Sequence, residues 1–195
     1  MSYAQNLRYV FLDRDGVINR KLPEGRYIRH WEDFHLLPGV EAAIATLNRR
    51  GIRAIVISNQ RGIALGYYTF ADVEEIHLRL QQHLSDDGAR IAAFYFCPHD
   101  IGECNCRKPA PGLFEQAFRD FPDATAGNSL MIGDSISDIE AARNLGMRSI
   151  FIEGDPAIRK SGAERAAELA DFVADSLAVA VRILLENQPN SSSIS

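Results

Sequence analysis

The sequence predicts an α/β fold in which a parallel β-sheet is covered by helices on both faces. Short apolar runs rich in β-branched and aromatic residues alternate along the chain with longer amphipathic stretches. These runs are apolar at nearly every position, which is typical of strands that are buried on both faces. The length of 195 residues suits one domain with a single core. Together these features favour a three-layer, Rossmann-like arrangement.

Six strands are predicted from the apolar runs. The first, at residues 8–13, has the sequence RYVFLD and ends on an acid. The second, at 52–58, reads IRAIVIS and ends on a serine. Three further runs and one weaker run complete the set, at 91–97, 129–134, 148–153 and 171–174.

Six helices are predicted between and after these strands. The first begins at Pro38, which suits a first turn, and Gly51 lies just past its end. The second has Thr69 as its N-cap candidate and apolar residues at helical spacing. The helices are expected at residues 38–50, 69–84, 111–121, 136–146, 161–170 and 175–186.

Composition and charge exclude several classes of function. The formal net charge of −5 argues against a broad nucleic-acid surface. No apolar run approaches the roughly 20 residues that a membrane-spanning helix needs, and the first residues lack the features of a signal peptide. We therefore expect a cytoplasmic monomer that binds neither nucleic acid nor membranes. One domain is expected over residues 1–187, followed by a polar, aperiodic and disordered tail at 188–195.

Acidic and polar residues follow three of the predicted strands. Asp13 and Asp15 follow the first, Ser58 ends the second, and Asp134 ends the fourth. Parallel topology brings the carboxyl ends of strands to one edge of the sheet, where ligands bind. Asp13, Asp134 and the backbone carbonyl of Asp15 are oxygen ligands suited to Mg²⁺. One carboxylate could attack phosphorus while its neighbour moves a proton, with Ser58 and Lys108 binding the phosphoryl oxygens.

Two features of this edge allow a plainer interpretation. The sequence DRDG at 13–16 could be a solvated turn, because Asp and Gly are ordinary turn residues. That interpretation is less favoured because similar polar residues also end the second and fourth predicted strands. Asp138 either complements the dipole of the following helix or supports the metal, and the sequence leaves both open.

These motifs resemble those of the haloacid dehalogenase-like phosphatases. The family's motifs occur in order as DRDG, Ser58, Lys108 and the GDSISD run at 133–138. The resemblance implies that Asp13 is the nucleophile and forms an aspartyl-phosphate. It also implies that Asp15 is the general acid and base, and that Mg²⁺ is held by Asp13, Asp15 and Asp134. The stretch between Ser58 and Lys108 is too short for the large cap domain of many relatives.

A loop at 97–106 carries all three cysteines of the chain and one histidine. The spacing C-x-H-x4-C-x-C offers three thiolates and one imidazole, which is a closed tetrahedral set for structural Zn²⁺. The alternative is a loop of reduced thiols with an exposed histidine. The loop runs directly into Arg107 and Lys108, so we expect zinc to hold these cations over the phosphate site. The predicted zinc ligands are Cys97, His99, Cys104 and Cys106.

The zinc loop narrows the resemblance to two subgroups, the heptose-bisphosphate phosphatases and the histidinol-phosphate phosphatases. The runs DRDGVINR and SNQRGIALGYYT favour the heptose subgroup, so a phosphorylated sugar is the expected substrate. The short gap between His99 and Cys104 looks more like the histidinol subgroup. Ser135 is a further departure from the heptose subgroup, in which some enzymes have a lysine that touches substrate at this position. A non-catalytic phosphate-binding module is the alternative from another class.

The resemblance implies substrate contacts from Asn19, Asn59, Gln60, Arg61 and Arg107. The histidines at 30, 35, 77 and 83 are predicted to be surface or loop residues.

Overall fold

The computed structural model describes residues 6–23, 25–159 and 161–186, and the predicted tail at 188–195 lies outside this range. The described residues form one six-stranded sheet in the order β3-β2-β1-β4-β5-β6. Every neighbouring pair of strands is parallel. All six strands lie within two residues of their predicted bounds. They are Tyr9–Leu12 (β1), Arg53–Asn59 (β2), Ile91–Cys97 (β3), Ser129–Gly133 (β4), Arg148–Ile152 (β5) and Phe172–Ala174 (β6).

Six α-helices match the six predicted from the sequence. Thr69 caps α2 as predicted, and its side chain forms a reciprocal capping box with Asp72. The first helix begins two residues later than predicted, because Gly39 in a left-handed conformation is its N-cap and Pro38 precedes that cap. The helices are Val40–Arg49 (α1), Phe70–Asp86 (α2), Gly112–Asp120 (α3), Ile136–Asn144 (α4), Ala163–Leu169 (α5) and Leu177–Glu186 (α6). None of the described helices is both long and apolar enough to cross a membrane.

The two faces of the sheet bury different sets of side chains, because successive residues of a strand point to opposite faces. In β1, Val10 and Leu12 belong to the core that packs under α1, α2 and α6. Tyr9 and Phe11 belong to the opposite core, which packs under α3 and α4. The sheet is therefore covered on both sides, as the continuous apolar runs predict.

The chain order reverses at the centre of the sheet, between β1 and β4. Strands β2 and β3 extend the sheet in one direction from β1, while β5 and β6 extend it in the other from β4. In open parallel sheets, the crevice beyond such a switch point is where ligands bind. Only α2 and its connections lie between β2 and β3, which confirms the absence of a large cap domain there.

The sequence predicts that His30, His35, His77 and His83 are surface or loop residues, and this prediction is wrong for His77. Its side chain lies in α2 and is only 5% exposed. The imidazole stacks on Phe94 of β3, with ring centroids 4.5 Å apart and planes 16° from parallel. His77 follows Val73 by four residues, so it shares the helix face that packs on the sheet. That spacing was the signal in the sequence.

Candidate active site

The switch point brings together the acids that the sequence places at the ends of β1 and β4. Asp13 directly follows β1, and its backbone N–H donates to the carbonyl of Ile132 in β4 at 2.9 Å. Asp134 directly follows β4, and Asp138 lies in the first turn of α4. Oxygens of Asp13, Asp134 and Asp138 lie within 4.8 Å of one another, and all three residues are buried. Such a dense negative cluster needs positive charge nearby.

Lys108 supplies part of that charge. Its Nζ lies 2.9 Å from Asp13 Oδ1 and 2.6 Å from Asp138 Oδ1, and it donates to the carbonyl of Ile57 at 2.6 Å. Burial alone would lower the pKa of Lys108, but the two carboxylates outweigh burial and the pKa is raised. The ammonium is therefore charged and in contact with the predicted nucleophile. Asp138 thus contacts the predicted catalytic lysine as well as capping a helix.

Asn59 fixes the backbone of Lys108 from the end of β2. Its side-chain oxygen accepts from the Lys108 N–H at 3.0 Å, and its side-chain nitrogen donates to the Lys108 carbonyl at 3.1 Å. These two hydrogen bonds resemble those between neighbouring strands, and they fix the position of the Lys108 backbone. In the described structure Asn59, a predicted substrate contact, positions Lys108.

The carboxylate of Asp15 is held by a buried arginine that the sequence analysis did not single out. Arg14 is 1% exposed, and its Nη2 lies 3.0 Å from both Asp15 oxygens. Asn19 donates to Oδ1 at 2.9 Å and Gln60 donates to Oδ2 at 3.1 Å. Burial on its own raises the pKa of Asp15, but Arg14 and these hydrogen bonds outweigh burial, so the pKa is lowered. Asp15 is therefore held as a carboxylate.

Gln60 connects Asp15, which lies just after β1, with Ser58 in β2. Its Nε2 donates to Ser58 Oγ at 2.8 Å as well as to Asp15. Its Oε1 accepts from the Tyr68 hydroxyl at 2.8 Å and from Arg14 at 3.3 Å. Ser58 and Gln60 are both buried. Gln60 and Asn19 were predicted to contact substrate, and in this structure both bind catalytic candidates.

Two glycines allow the acids to approach the backbone closely. A Cβ on Gly16, which has φ of +102°, would lie 2.2 Å from Asp134 Oδ2. A Cβ on Gly133 would lie 2.3 Å from the Cβ of Asp138. Neither position tolerates a side chain without moving a carboxylate. The donor set is three buried carboxylates in close contact with backbone, which fits a hard divalent cation that prefers oxygen ligands.

A cavity of about 220 Å³ opens beside Asp134. Its charged lining includes residues that the sequence analysis did not assign to the site, namely Arg20, Lys21 and Arg159. Lys21 lies on the connection between β1 and α1, and its Nζ is 2.5 Å from Asp134 Oδ2. These residues are not recognisable from the sequence, because loop conformation, rather than strand ends, brings them to the site.

The four predicted zinc ligands come together in the loop after β3. Sulfur–sulfur distances are 3.5 Å for Cys97 and Cys104 and 3.3 Å for Cys104 and Cys106. His99 Nδ1 lies 3.7 Å from Cys97 Sγ and 3.3 Å from Cys106 Sγ. Zn–S bonds of about 2.3 Å at tetrahedral angles place two sulfurs about 3.8 Å apart. The geometry therefore fits a tetrahedral zinc set with slight contraction.

The cysteine loop is joined to the end of β2 by several bonds. The Gln60 N–H donates to the Cys97 carbonyl at 2.8 Å, and the Ala64 N–H donates to the Pro98 carbonyl at 3.1 Å. Arg61 pairs with Asp100 of the loop at 2.5 Å. Arg61, a predicted substrate contact, thus ties two loops together. Arg107, another such prediction, follows the loop directly and carries a buried Nη1 with no hydrogen-bond partner among the described residues.

Comparison with known proteins assigns this arrangement to a family. The family model described as HAD-hydrolase-like matches residues 105–180. The D-glycero-alpha-D-manno-heptose-1,7-bisphosphate 7-phosphatase of Mycobacterium bovis is 43% identical over 137 residues, which are 70% of this chain and 72% of that protein. The D-glycero-D-manno-heptose-1,7-bisphosphate 7-phosphatase of Thermosynechococcus vestitus is 38% identical over 188 residues, which are 88% and 92% of the two chains.

A solved structure agrees with these relatives. The D,D-heptose 1,7-bisphosphate phosphatase from B. bronchiseptica, complexed with magnesium and phosphate, superposes with a TM-score of 0.81 and 26% identity. The match covers 93% of this chain and 100% of that one. The chain is therefore an enzyme of the haloacid dehalogenase-like hydrolases, in the branch that includes the heptose-1,7-bisphosphate phosphatases.

Proposed function

We propose that this chain hydrolyses the C7 phosphate of D-glycero-D-manno-heptose 1,7-bisphosphate through an aspartyl-phosphate on Asp13. The observation that carries the proposed reaction is the contact between Asp13 and the buried ammonium of Lys108, within the cluster that includes Asp134. The proposed substrate rests on the similarity to the heptose-1,7-bisphosphate phosphatases. A protein that only binds phosphate would repel its ligand with so many carboxylates. A nucleophilic carboxylate beside a fixed cation has a use in phosphoryl transfer.

Asp13 is proposed as the nucleophile. A carboxylate oxygen of Asp13 attacks phosphorus, the bond from phosphorus to the sugar oxygen breaks, and the phosphoryl group passes to Asp13. Lys108 and the Ser58 hydroxyl bind the phosphoryl oxygens as charge moves during transfer. Lys108 is already held against Asp13 by Asp138 and Ile57, so little reorganisation is needed.

Asp15 is proposed to move the protons. It protonates the departing sugar oxygen and later removes a proton from the water that attacks the aspartyl-phosphate, which releases phosphate and restores Asp13. In the described structure Arg14 and Gln60 hold Asp15 as a carboxylate, which is the form that the second half of the cycle needs. Substrate binding must loosen these contacts before Asp15 can carry a proton in the first half.

Mg²⁺ is the proposed cofactor at the switch point. Asp13, Asp134 and the backbone carbonyl of Asp15 would hold it, and Asp138 would support the cluster from α4. When bound, the ion neutralises part of the charge on the phosphate and on the acids. The B. bronchiseptica structure, which contains magnesium and phosphate, supports this choice of metal.

Zn²⁺ is the proposed structural ion of the cysteine loop. Cys97, His99, Cys104 and Cys106 offer four ligands, so no open position is left for chemistry. The loop contacts the end of β2 and leads into Arg107 and Lys108, so zinc would hold Lys108 from one side while Asn59 holds it from the other. Thiolate ligands of this kind suit a reducing compartment, and we propose a cytoplasmic enzyme. We also propose that the enzyme acts as a monomer, because every group that the mechanism uses lies in one chain.

The proposal is tested by replacing Asp13 with Asn and measuring phosphate release from heptose 1,7-bisphosphate. We expect the loss of nearly all turnover, since the amide cannot form the phospho-enzyme. Asp171→Asn, a change at an exposed acid that directly precedes β6 and so lies at the opposite edge of the sheet from the carboxyl ends of the strands, is the control and should keep full activity. ³¹P NMR of the product should show that the C1 phosphate is retained. Turnover by Asp13→Asn at the wild-type rate, or release of the C1 phosphate, would contradict the proposal.

A further inference from the structure

Lys21 occupies a defined position at the edge of the acid cluster. Its backbone follows Asn19 and Arg20, which are fixed because Asn19 pairs with Leu36 and the Arg20 N–H donates to the His35 carbonyl at 2.7 Å. The Lys21 side chain is 12% exposed, and it reaches Asp134 Oδ2 at 2.5 Å. An ammonium so placed neutralises a carboxylate that is proposed to bind metal.

A divalent cation and the Lys21 ammonium compete for the same carboxylate. When Mg²⁺ binds Asp134, the negative charge that attracts Lys21 is largely neutralised, and two cations at one oxygen repel each other. The ammonium must then turn elsewhere. The adjoining cavity, which Lys21 already lines, has room for it.

The charges of the cavity are nearly balanced while Lys21 pairs with Asp134. Arg159 is engaged by Glu153 at 3.6 Å, and its Nε donates to the Glu153 carbonyl. Arg20 and Asp155 are exposed on the wall of the cavity and contribute one positive and one negative charge. Once Lys21 leaves Asp134, two neighbouring cations, Lys21 and Arg20, face the same space, with Asp155 as the one carboxylate there that no cation among the described residues holds. A pair of cations in a cavity next to the phosphoryl-transfer site suits a second anionic group of the substrate.

We propose that Lys21 is a specificity-determining residue with two positions. Without metal, it neutralises Asp134 and closes the magnesium site. With metal bound, it turns into the cavity and, together with Arg20, binds the phosphate of the substrate that is not hydrolysed. Metal binding thereby prepares the enzyme for a bisphosphate in preference to a monophosphate. This inference rests on the proposed function, because it assigns a subsite for the second phosphate of that substrate.

The first arm of the test is a calorimetric titration of Mg²⁺ into the metal-free protein, with no substrate present. Lys21→Gln removes the competing ammonium, so magnesium should bind at least about fivefold more tightly than to the wild type. Arg20→Gln removes the same charge from the adjacent residue, which is exposed on the cavity wall, and should tighten binding by less than about twofold. Equal affinities of Lys21→Gln and wild type, or equal effects of the two variants, would overturn the competition.

The second arm compares heptose 1,7-bisphosphate with heptose 7-phosphate at saturating magnesium. Lys21→Gln should lower kcat/KM about 10- to 100-fold for the bisphosphate and change it less than about twofold for the monophosphate. An equal loss on both substrates would overturn the subsite. If the wild type hydrolyses neither sugar, the proposed function fails, while the titration still decides whether Lys21 competes with metal. The two failures are therefore distinguishable.

Discussion

Lys108→Met tests whether one buried ammonium holds the acid cluster together. The lysine is 3% exposed, and its Nζ contacts two carboxylates at 2.9 and 2.6 Å. Methionine has a similar shape and no charge, so the substitution leaves Asp13 and Asp138 buried without this cation. Removing one partner of a buried ion pair costs about 3–5 kcal/mol of unfolding free energy. We expect a loss of that size in the metal-free protein.

Magnesium should partly reverse the loss in Lys108→Met. The variant keeps the carboxylates that are proposed to hold the metal, and it lacks one of the cations that repel it. The stabilisation by magnesium should therefore be larger for the variant than for the wild type. Turnover should still fall by about 10²- to 10³-fold with magnesium present, because no fixed cation replaces Lys108 at the phosphoryl oxygens.

The assay is urea unfolding followed by circular dichroism, once with a chelator and once with magnesium. Asp138→Asn and the double variant complete a mutant cycle. If Lys108 acts through Asp138, the cost of Lys108→Met should be smaller by at least about 1 kcal/mol when Asp138 is already neutral. A metal-free variant as stable as the wild type, or strictly additive effects, would refute the reasoning.

Three further predictions follow from the fold and the site. Cys104→Ser should remove the proposed structural zinc, measured by elemental analysis, and lower both the melting temperature and kcat; zinc retained at one ion per chain would contradict the proposed ligand set. Gly16→Ala would place a methyl group 2.2 Å from Asp134 Oδ2, and kcat should fall at least about 100-fold; normal turnover would show that the acid can move. Burial lowers the pKa of His77 to about 3, so the folded protein keeps it neutral while the unfolded chain takes up a proton below about pH 6.5. Stability is then lost as the pH falls. Between pH 7.5 and 5, the free energy of unfolding of His77→Leu should fall by about 2 kcal/mol less than that of the wild type. An equally small fall for His83→Leu, the control on the exposed part of α2, would contradict this.

The strands and the catalytic candidates were predictable because they depend on simple rules. Apolar runs mark buried strands, and parallel topology brings the ends of those strands to one edge. Asp13, Ser58 and Asp134 were found in this way, since each one ends or directly follows a strand. Their meeting at the switch point required no knowledge of loop conformation.

The positions of the surrounding polar residues could not be predicted in the same way. Arg14 looks like a solvent-facing residue between two acids, yet the turn after β1 directs it inward to Asp15. Lys21 reaches Asp134 only because the connection to α1 folds back over the sheet edge. Gln60 and Asn59 were expected to contact substrate, and the structure shows them bound to Asp15 and Lys108. The partner to which a polar side chain binds depends on distances of a few ångströms. Neither the periodicity of apolar residues nor the spacing of motif residues in the sequence determines such distances.

The most direct test of the central claim is a side-by-side measurement of kcat/KM on both anomers of heptose 1,7-bisphosphate and on histidinol phosphate, with magnesium. Our account predicts that one heptose anomer is preferred over histidinol phosphate by at least about 100-fold, because the cations of the proposed second-phosphate subsite have no partner on a monophosphate. Preference for histidinol phosphate, or equal activity on the two substrates, would contradict it.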